Sequence, residues 1–333
     1  MNQPISDARQ LADTMRAFSV SRLLTTAVTS GVVNAVAEAE PATGADLATN
    51  LKLAAPHLDR LVSALVAVGV LERHKGGAVS LTPVGRLLAD GEGGSLAPMA
   101  RMLHEEGWSA WADFPRWLER SESGDDVFDA FDAEPETYEV FERQMRTGTA
   151  RHAAGVAAAA GLTGDESLLD VGGGSGGMAR AFLAAYDGVH VTVGDRPYAR
   201  AGALAYLSDV ARDRWRFVDL DFFEAVPPGH DVYLLSRILH DWNDDKARRI
   251  VRACADAMSD AGRLLIFERS VAGAMTASLA MADLNTGLMC GGRERGLAEF
   301  SDLLAAEGLR VTRTVPVSGD HWLIEARVDT AGR

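Results

Sequence analysis

The chain has 333 residues, 47% of them apolar and 24% charged, which excludes a disordered or fibrous chain and leaves room for two compact domains. With 47 Asp and Glu against 33 Lys and Arg, a formal net charge of −14, it has no overall electrostatic reason to seek nucleic acid or an anionic membrane. The N-terminal stretch lacks the basic-then-apolar order of a secretory signal, and no apolar run is long enough for a bilayer span. The two cysteines, Cys254 and Cys290, show no C-x-x-C spacing. A cytoplasmic protein without a disulfide framework or a thiolate metal site is expected.

From the N-terminus, residues 9–38 carry apolar side chains at three- and four-residue spacing, the signature of helix. Residues 46–71 read as two short helices joined across Leu51–Leu58, with Thr43 or Asp46 capping the first and Pro56 in the first turn of the second. Two short extended runs about Lys75-Gly76-Gly77 then predict a β-hairpin. Helix, helix and hairpin give a winged-helix outline over residues 1–95, closed by a Gly- and acid-rich linker at Asp90–Ser95. An aromatic-rich helical stretch, Trp108–Met145, and an Ala-rich helix at 153–160 fill a connecting segment, 96–160.

After residue 160 the pattern changes to alternating strand and helix. Apolar runs at 167–173, 189–195, 214–221, 231–238 and 262–270 read as buried strands separated by helical segments. That order implies a parallel sheet with helices on both faces and a ligand at the carboxyl ends of its strands. The runs 309–319 and 321–328 follow each other with almost no connection, so they are expected to pair as a hairpin.

Candidate chemistry begins at Asp170, where the first of these strands gives way to Gly172, Gly173, Gly174, Gly176 and Gly177. Gly172, Gly174 and Gly177 satisfy G-x-G-x-x-G, a pattern that by itself speaks for any ligand approaching the backbone closely. Asp170 narrows the choice: a carboxylate sits badly beside pyrophosphate but suits a ligand bearing an ammonium and a sulfonium. Asp195 ends the second strand, where it can accept from ribose hydroxyls. Asp221 ends the third and precedes Phe222 and Phe223, an acid and an aromatic face suited to adenine. Three acids at three successive strand ends point to S-adenosylmethionine.

The fourth strand runs into Ser236-Arg237-Ile238-Leu239-His240-Asp241-Trp242. This run resembles the LHDW motif of the small-molecule O-methyltransferases, the family of caffeate-type plant and antibiotic-tailoring bacterial enzymes. The resemblance extends to Asp170–Gly176, Asp195-Arg196-Pro197, Asp221-Phe222-Phe223 and Gly291-Gly292-Arg293-Glu294-Arg295, and so covers nearly the whole chain. It implies a Rossmann-like α/β methyltransferase domain with a seven-stranded, mostly parallel sheet over 161–333. It further implies a winged-helix dimerisation domain before that one, and a homodimer in which one N-terminal segment helps close the partner's acceptor pocket. The activity it implies is metal-independent methyl transfer to a hydroxyl of a small aromatic or polyketide-like metabolite. His240 becomes the general base, flanked and oriented by Glu268 and Glu294, while Ser236 and Arg237 join the cofactor side.

Physical chemistry supports the base. A phenol titrates near about 10, so at neutral pH a base must take its proton, and a histidine held in one tautomer by a carboxylate can do so. Trp108, Trp111, Phe114, Trp117, Phe141 and Met145 are candidates to line the acceptor side, the resemblance favouring Phe141 and Met145; Asp283, Thr286 and Cys290 join them on a helix expected to face the pocket, and all are equally suited to plain packing. Asp241 either touches acceptor or cofactor or caps the helix beginning near Asn243. Two departures stand out. Arg196 replaces a usual Leu and is expected to point to solvent; Thr286-Gly287 replaces a usual Met-Leu, implying a roomier or more polar acceptor site and a helix loosened by about 1 kcal/mol relative to Ala. Competing readings are N- or C-methylation, a cofactor-dependent reaction without methyl transfer, and a DNA-binding regulator. Against the last, the segment 54–70 offers only His57 and Arg60 as cationic or near-cationic groups.

Overall fold

Gly31, at φ 79°, splits the expected N-terminal helix into α1 (Ala8–Thr29) and α2 (Val32–Glu38). The computed structural model describes residues 5–91, 94–119, 138, 142, 145, 146 and 148–330, so Phe141 and much of the aromatic-rich stretch before it lie outside the described residues. The chain divides between Pro115 and Arg116 into two compact units.

In the N-terminal unit, Asp7 caps α1 by accepting from the Gln10 amide at 2.8 Å. The helix α3 (Gly44–Asn50) is capped by Thr43 rather than Asp46: the Thr43 hydroxyl accepts from the Asp46 amide and donates to the Asp46 carboxylate. Pro56 sits in the first turn of α4 (Ala55–Ala67). Strands β1 (Leu71–Arg73) and β2 (Val79–Leu81) pair antiparallel with Leu71 opposite Leu81, giving the expected wing. Val33, Val36, Leu47, Leu58, Val62, Leu65, Leu71 and Leu81 meet in one core. Helices α5 (Ala97–Met102) and α6 (Trp108–Ala112) follow, joined by a π-type turn. Leu11, Met15 and Phe18, at i, i+4 and i+7 on α1, remain exposed.

The C-terminal unit is built on a seven-stranded sheet in the order β5-β4-β3-β6-β7-β9-β8. Its strands are β3 (Ser167–Val171), β4 (His190–Asp195), β5 (Trp215–Asp219), β6 (Val232–Ser236), β7 (Arg263–Arg269), β8 (Leu309–Ser318) and β9 (His321–Val328). The first five are parallel; β9 lies antiparallel between β7 and β8. Alternate side chains point to opposite faces, so the apolar runs cover both. Leu169, Tyr233, Leu235 and Ile266 pack on α10 (Asp244–Ala257) and α12 (Leu297–Ala305). Leu168, Val191, Leu234 and Leu265 pack on α7 (Ala153–Ala160) and α8 (Gly177–Ala185). Each such side chain, fully buried, contributes about 1.5–3 kcal/mol. Helix α9 (Arg200–Tyr206) joins β4 to β5, and α11 (Ala277–Cys290) follows β7. The parallel strands end together, bringing Asp170, Asp195, Ser236 and Glu268 to one edge.

Candidate active site

Gly172, Gly174 and Gly176 all adopt positive φ, at 72°, 55° and 83°, bending the chain sharply from β3 into α8. The bend is tied to the neighbouring strand: the Gly172 amide donates to the Gly194 carbonyl at 2.8 Å, and the Gly174 amide to Asp195 Oδ2 at 2.7 Å. The space above it is already close. A β-carbon at 172 would lie 2.6 Å from Ile238 Cδ1, and one at 174 would lie 2.8 Å from Glu142 Oε2.

Acids concentrate at this turn. Asp170 is 1% exposed, and neither carboxylate oxygen has a well-formed hydrogen bond; only the Ala179 amide leans toward it. Burial, then the Asp195 carboxylate, push Asp170 up to about 7. Burial pushes Asp195 up to about 6 against the pull of the Gly174 and Arg196 amides. Glu142, also raised by burial, accepts from the hydroxyl and amide of Ser175 and from the Tyr138 hydroxyl. A buried carboxylate without good partners beside two further acids is a site for a cation, and it fits the ammonium and sulfonium of S-adenosylmethionine.

Asp221 follows β5 and accepts from the Phe223 amide at 2.8 Å. Its other oxygen takes Arg196 Nη1 at 2.9 Å, so Arg196 turns onto Asp221 rather than out to solvent as its sequence position suggested. Phe222 stacks edge-on to Phe223 at 4.9 Å and comes within 3.5 Å of a β-carbon placed on Gly172, so the aromatic face and the glycine turn share one wall.

The second cluster lies on the loop after β6. His240 occupies a 3-10 turn, Leu239–Asp241, and its Nδ1 is 2.7 Å from Glu268 Oε2 at the end of β7. Glu268 is 1% exposed, and its other oxygen accepts from the Leu239 amide at 2.8 Å. His240 Nε2 lies 3.3 Å from Asp241 Oδ1. Burial disfavours the imidazolium, but the Asp241 and Glu268 carboxylates outweigh it and push His240 up to about 9. Asp241 does not cap the following helix: Asn243 does, accepting from the Lys246 amide at 3.0 Å.

Glu294 makes no hydrogen bond to His240 and acts on it through its field alone. Its amide donates to Asp283 Oδ1 at 2.8 Å, its Oε1 accepts from the Thr286 hydroxyl at 3.4 Å, and its Oε2 is buried without a partner. Cys290 Sγ is 3.6 Å from Asp241 Oδ1. Ser236 ends β6 opposite Phe267 of β7. Arg237, next to it, has φ 57°, a left-handed conformation that costs a non-glycine residue about 1–2 kcal/mol. It is held there by donation of its amide to the Phe267 carbonyl at 2.8 Å. Met145 lies by the Arg237 side chain, with Sδ 3.9 Å from Nη2.

Two participants escaped the sequence reading. Glu142 sits in a stretch legible only as aromatic-rich helix. Arg295 was visible within the GGRER run but without a role. Its fully buried guanidinium donates to the Leu239 carbonyl at 2.7 Å, to the Trp242 carbonyl at 2.9 Å and to Asp244 at 2.8 Å, clamping the His240 loop. Of the aromatics expected near the acceptor, Trp117 lies against α11 at Gly287.

Comparison with known proteins gives one answer along the chain. Residues 114–310 match the family model described as the O-methyltransferase domain, and residues 12–91 match the O-methyltransferase dimerisation domain. The chain is 31% identical over 318 residues to the phenazine O-methyltransferase PhzM of Lysobacter antibioticus, covering 93% of each. The structure of the mitomycin 7-O-methyltransferase MmcR superimposes with a TM-score of 0.90 at 30% identity, covering 96% of this chain and 97% of that one. The O-methyltransferase NcsB1 from neocarzinostatin biosynthesis, solved with S-adenosylmethionine and 2-hydroxy-5-methyl naphthoic acid, gives 0.82 at 30% identity, covering 93% and 96%.

Proposed function

Since the chain belongs to the S-adenosylmethionine-dependent O-methyltransferases, which act on aromatic and polyketide-like metabolites, we propose that it methylates a hydroxyl of such an acceptor with His240 as general base. The observation that carries this reading is the 2.7 Å contact between Glu268 and His240 Nδ1. With the proton held on Nδ1, the neutral ring presents the Nε2 lone pair to an acceptor hydroxyl. As Nε2 takes that proton, Glu268 stabilises the imidazolium, the logic of a histidine–acid pair.

S-adenosylmethionine supplies the methyl group from its sulfonium. Around it, the Gly172–Gly174 backbone and Asp170 would face the methionine end, Asp195 the ribose, and Asp221 with Phe222 the adenine, with Ser236 and Arg237 completing the wall. A sulfonium beside the base disfavours the imidazolium, so cofactor binding would lower the His240 pKa from its value of about 9. Asp241, Thr286 and Asp283 would border the acceptor, joined by Met145 and by Phe141, which lies outside the described residues.

In functional terms we divide the chain into a dimerisation part (1–95), a connector contributing to the acceptor pocket (96–160) and the catalytic part (161–333). The match to a dimerisation domain and the exposed Leu11, Met15 and Phe18 support a homodimer. Among the described residues no single helix is long and apolar enough to cross a membrane, and the acidic balance offers nothing to anionic lipid; we assign the enzyme to the cytoplasm. The deciding experiment is a screen of phenolic and polyketide-like acceptors with isotope-labelled cofactor, read by mass, for wild type and His240→Ala. Transfer to a hydroxyl in wild type that collapses in the variant supports the reading. Equal rates at neutral pH remove His240 as the base.

A further inference from the structure

Resting on this reading of the reaction, we propose that Trp117, seated over Gly287, is the wall that sets how large an aromatic acceptor the site takes. Helix α11 carries Asp283, Thr286, Gly287 and Cys290 at i, i+3, i+4 and i+7, a single face. Three of these turn to the groups around His240. Asp283 takes the Glu294 amide at 2.8 Å, Thr286 donates to Glu294 Oε1 at 3.4 Å, and Cys290 Sγ lies 3.6 Å from Asp241 Oδ1. The fourth position has no side chain. A β-carbon there would lie 3.2 Å from Trp117 Cζ2 and 3.7 Å from the Gly292 carbonyl.

The indole therefore takes the volume that a side chain at 287 would fill, on the helix face that surrounds the base. Trp117 is half-buried. A flat, rigid π-face there favours a planar aromatic partner. It also fixes the depth of the site, because a packed wall cannot deform without cost. Gly287 is thus a specificity position through its emptiness: any branched side chain there must drive the indole away from the helix and into the acceptor space.

The test compares wild type, Gly287→Leu, Trp117→Ala and the double variant on phenols of one, two and three fused rings. Affinity for S-adenosylhomocysteine is measured by calorimetry in each. Gly287→Leu should lower kcat/KM for the three-ring acceptor by about tenfold or more relative to the one-ring acceptor, the scale on which a pocket discriminates size. Trp117→Ala should move the ranking the other way, and the double variant should return toward wild type as Leu fills part of the space the indole left. Cofactor-product affinity should be the same in all four. An unchanged size ranking across the set, or rate losses that track losses of cofactor-product affinity, overturns the proposal. If wild type methylates none of the phenols, the reading of the reaction has failed and this inference falls with it.

Discussion

Glu268 grips His240 from both sides of the peptide chain: one oxygen holds Nδ1 at 2.7 Å while the other takes the amide of Leu239, the preceding residue, at 2.8 Å. A single buried carboxylate thus fixes the ring and the loop that carries it. Glu268→Gln should therefore cost about tenfold to a hundredfold in kcat, the range for removing a partner that orients a reactive group. Glu294→Gln, which leaves that grip intact, should cost less. His240→Ala should lose about 10²–10⁴-fold at neutral pH with the fold intact. That deficit should shrink as pH approaches the acceptor's own pKa, which a pH–rate profile of both proteins will show.

If Asp170 and Asp195 face the cofactor's cation as proposed, cofactor binding should depend on pH. Asp170 at about 7 and Asp195 at about 6 both lie above the ordinary value, so the cofactor-free fold prefers them neutral. Their favourable contribution is complete below the unfolded value of 3.8 and is lost as pH rises through about 6–7. A bound cation reverses the loss. The rise in Tm produced by saturating S-adenosylhomocysteine, whose ammonium remains, should be larger at pH 8 than at pH 5. Asp170→Asn should flatten the difference; a rise independent of pH in wild type would remove these acids from the cation's surroundings.

His240 titrates in the same sense as these acids, but at higher pH. Raised from 6.5 to about 9, its imidazolium stabilises the cofactor-free fold fully below pH 6.5, and that stability is lost as pH climbs through about 9. Denaturant midpoints of the cofactor-free protein should fall across this window in wild type and much less in His240→Ala.

Asp195 carries two backbone amides, those of Gly174 at 2.7 Å and Arg196 at 2.6 Å, besides its expected ribose contact. Asp195→Ala should weaken S-adenosylhomocysteine binding by about 1.5–3 kcal/mol, the scale of a hydrogen bond to a charged group. Unchanged affinity by calorimetry would take Asp195 out of the site.

Gly292 has no room for a methyl group. A β-carbon there would lie 2.0 Å from the His240 carbonyl oxygen and 2.4 Å from the Asp241 carbonyl carbon, both backbone. Gly292→Ala must displace the loop bearing the base, and it should cost about 1–3 kcal/mol of stability by overpacking. Turnover should fall far more than cofactor affinity does. Wild-type kcat in this variant would show that the loop position does not matter to the reaction.

The exposed row on α1, Leu11, Met15 and Phe18, should be covered by a second copy in an interface above about 2,000 Å². Light scattering should return a dimer mass at micromolar concentration, and Met15→Glu with Phe18→Glu should shift it toward monomer. A wild-type monomer would leave that row unexplained.

The sheet and the place of the acids at its edge were legible because strand runs are local and the last residue of a run marks the strand end. Asp170, Asp195 and Asp221 fell out of that rule. The helix boundaries near Gly31 and the cap at Asn243 depended on which of several eligible residues wins a local competition, which spacing alone does not decide. Arg196 was misread because its partner, Asp221, is 25 residues away on another strand end. Glu142 and Arg295 were hidden for the same reason: their meaning comes from backbone groups and a glycine gap that only the folded chain brings near. A buried arginine reads in sequence like a surface one.

The position of β9 has a consequence in time. It is made after both of its neighbours, yet it lies inside the sheet, between β7 and β8, and its Trp322 sits opposite Glu268. Until residues 321–328 emerge, the strand that carries Glu268, the partner of His240, has an open edge. At a synthesis rate of about 5–20 residues per second, a nascent chain spends seconds with β7 exposed after its other neighbours are in place. Chains arrested before residue 321 should therefore be inactive and prone to associate through that edge.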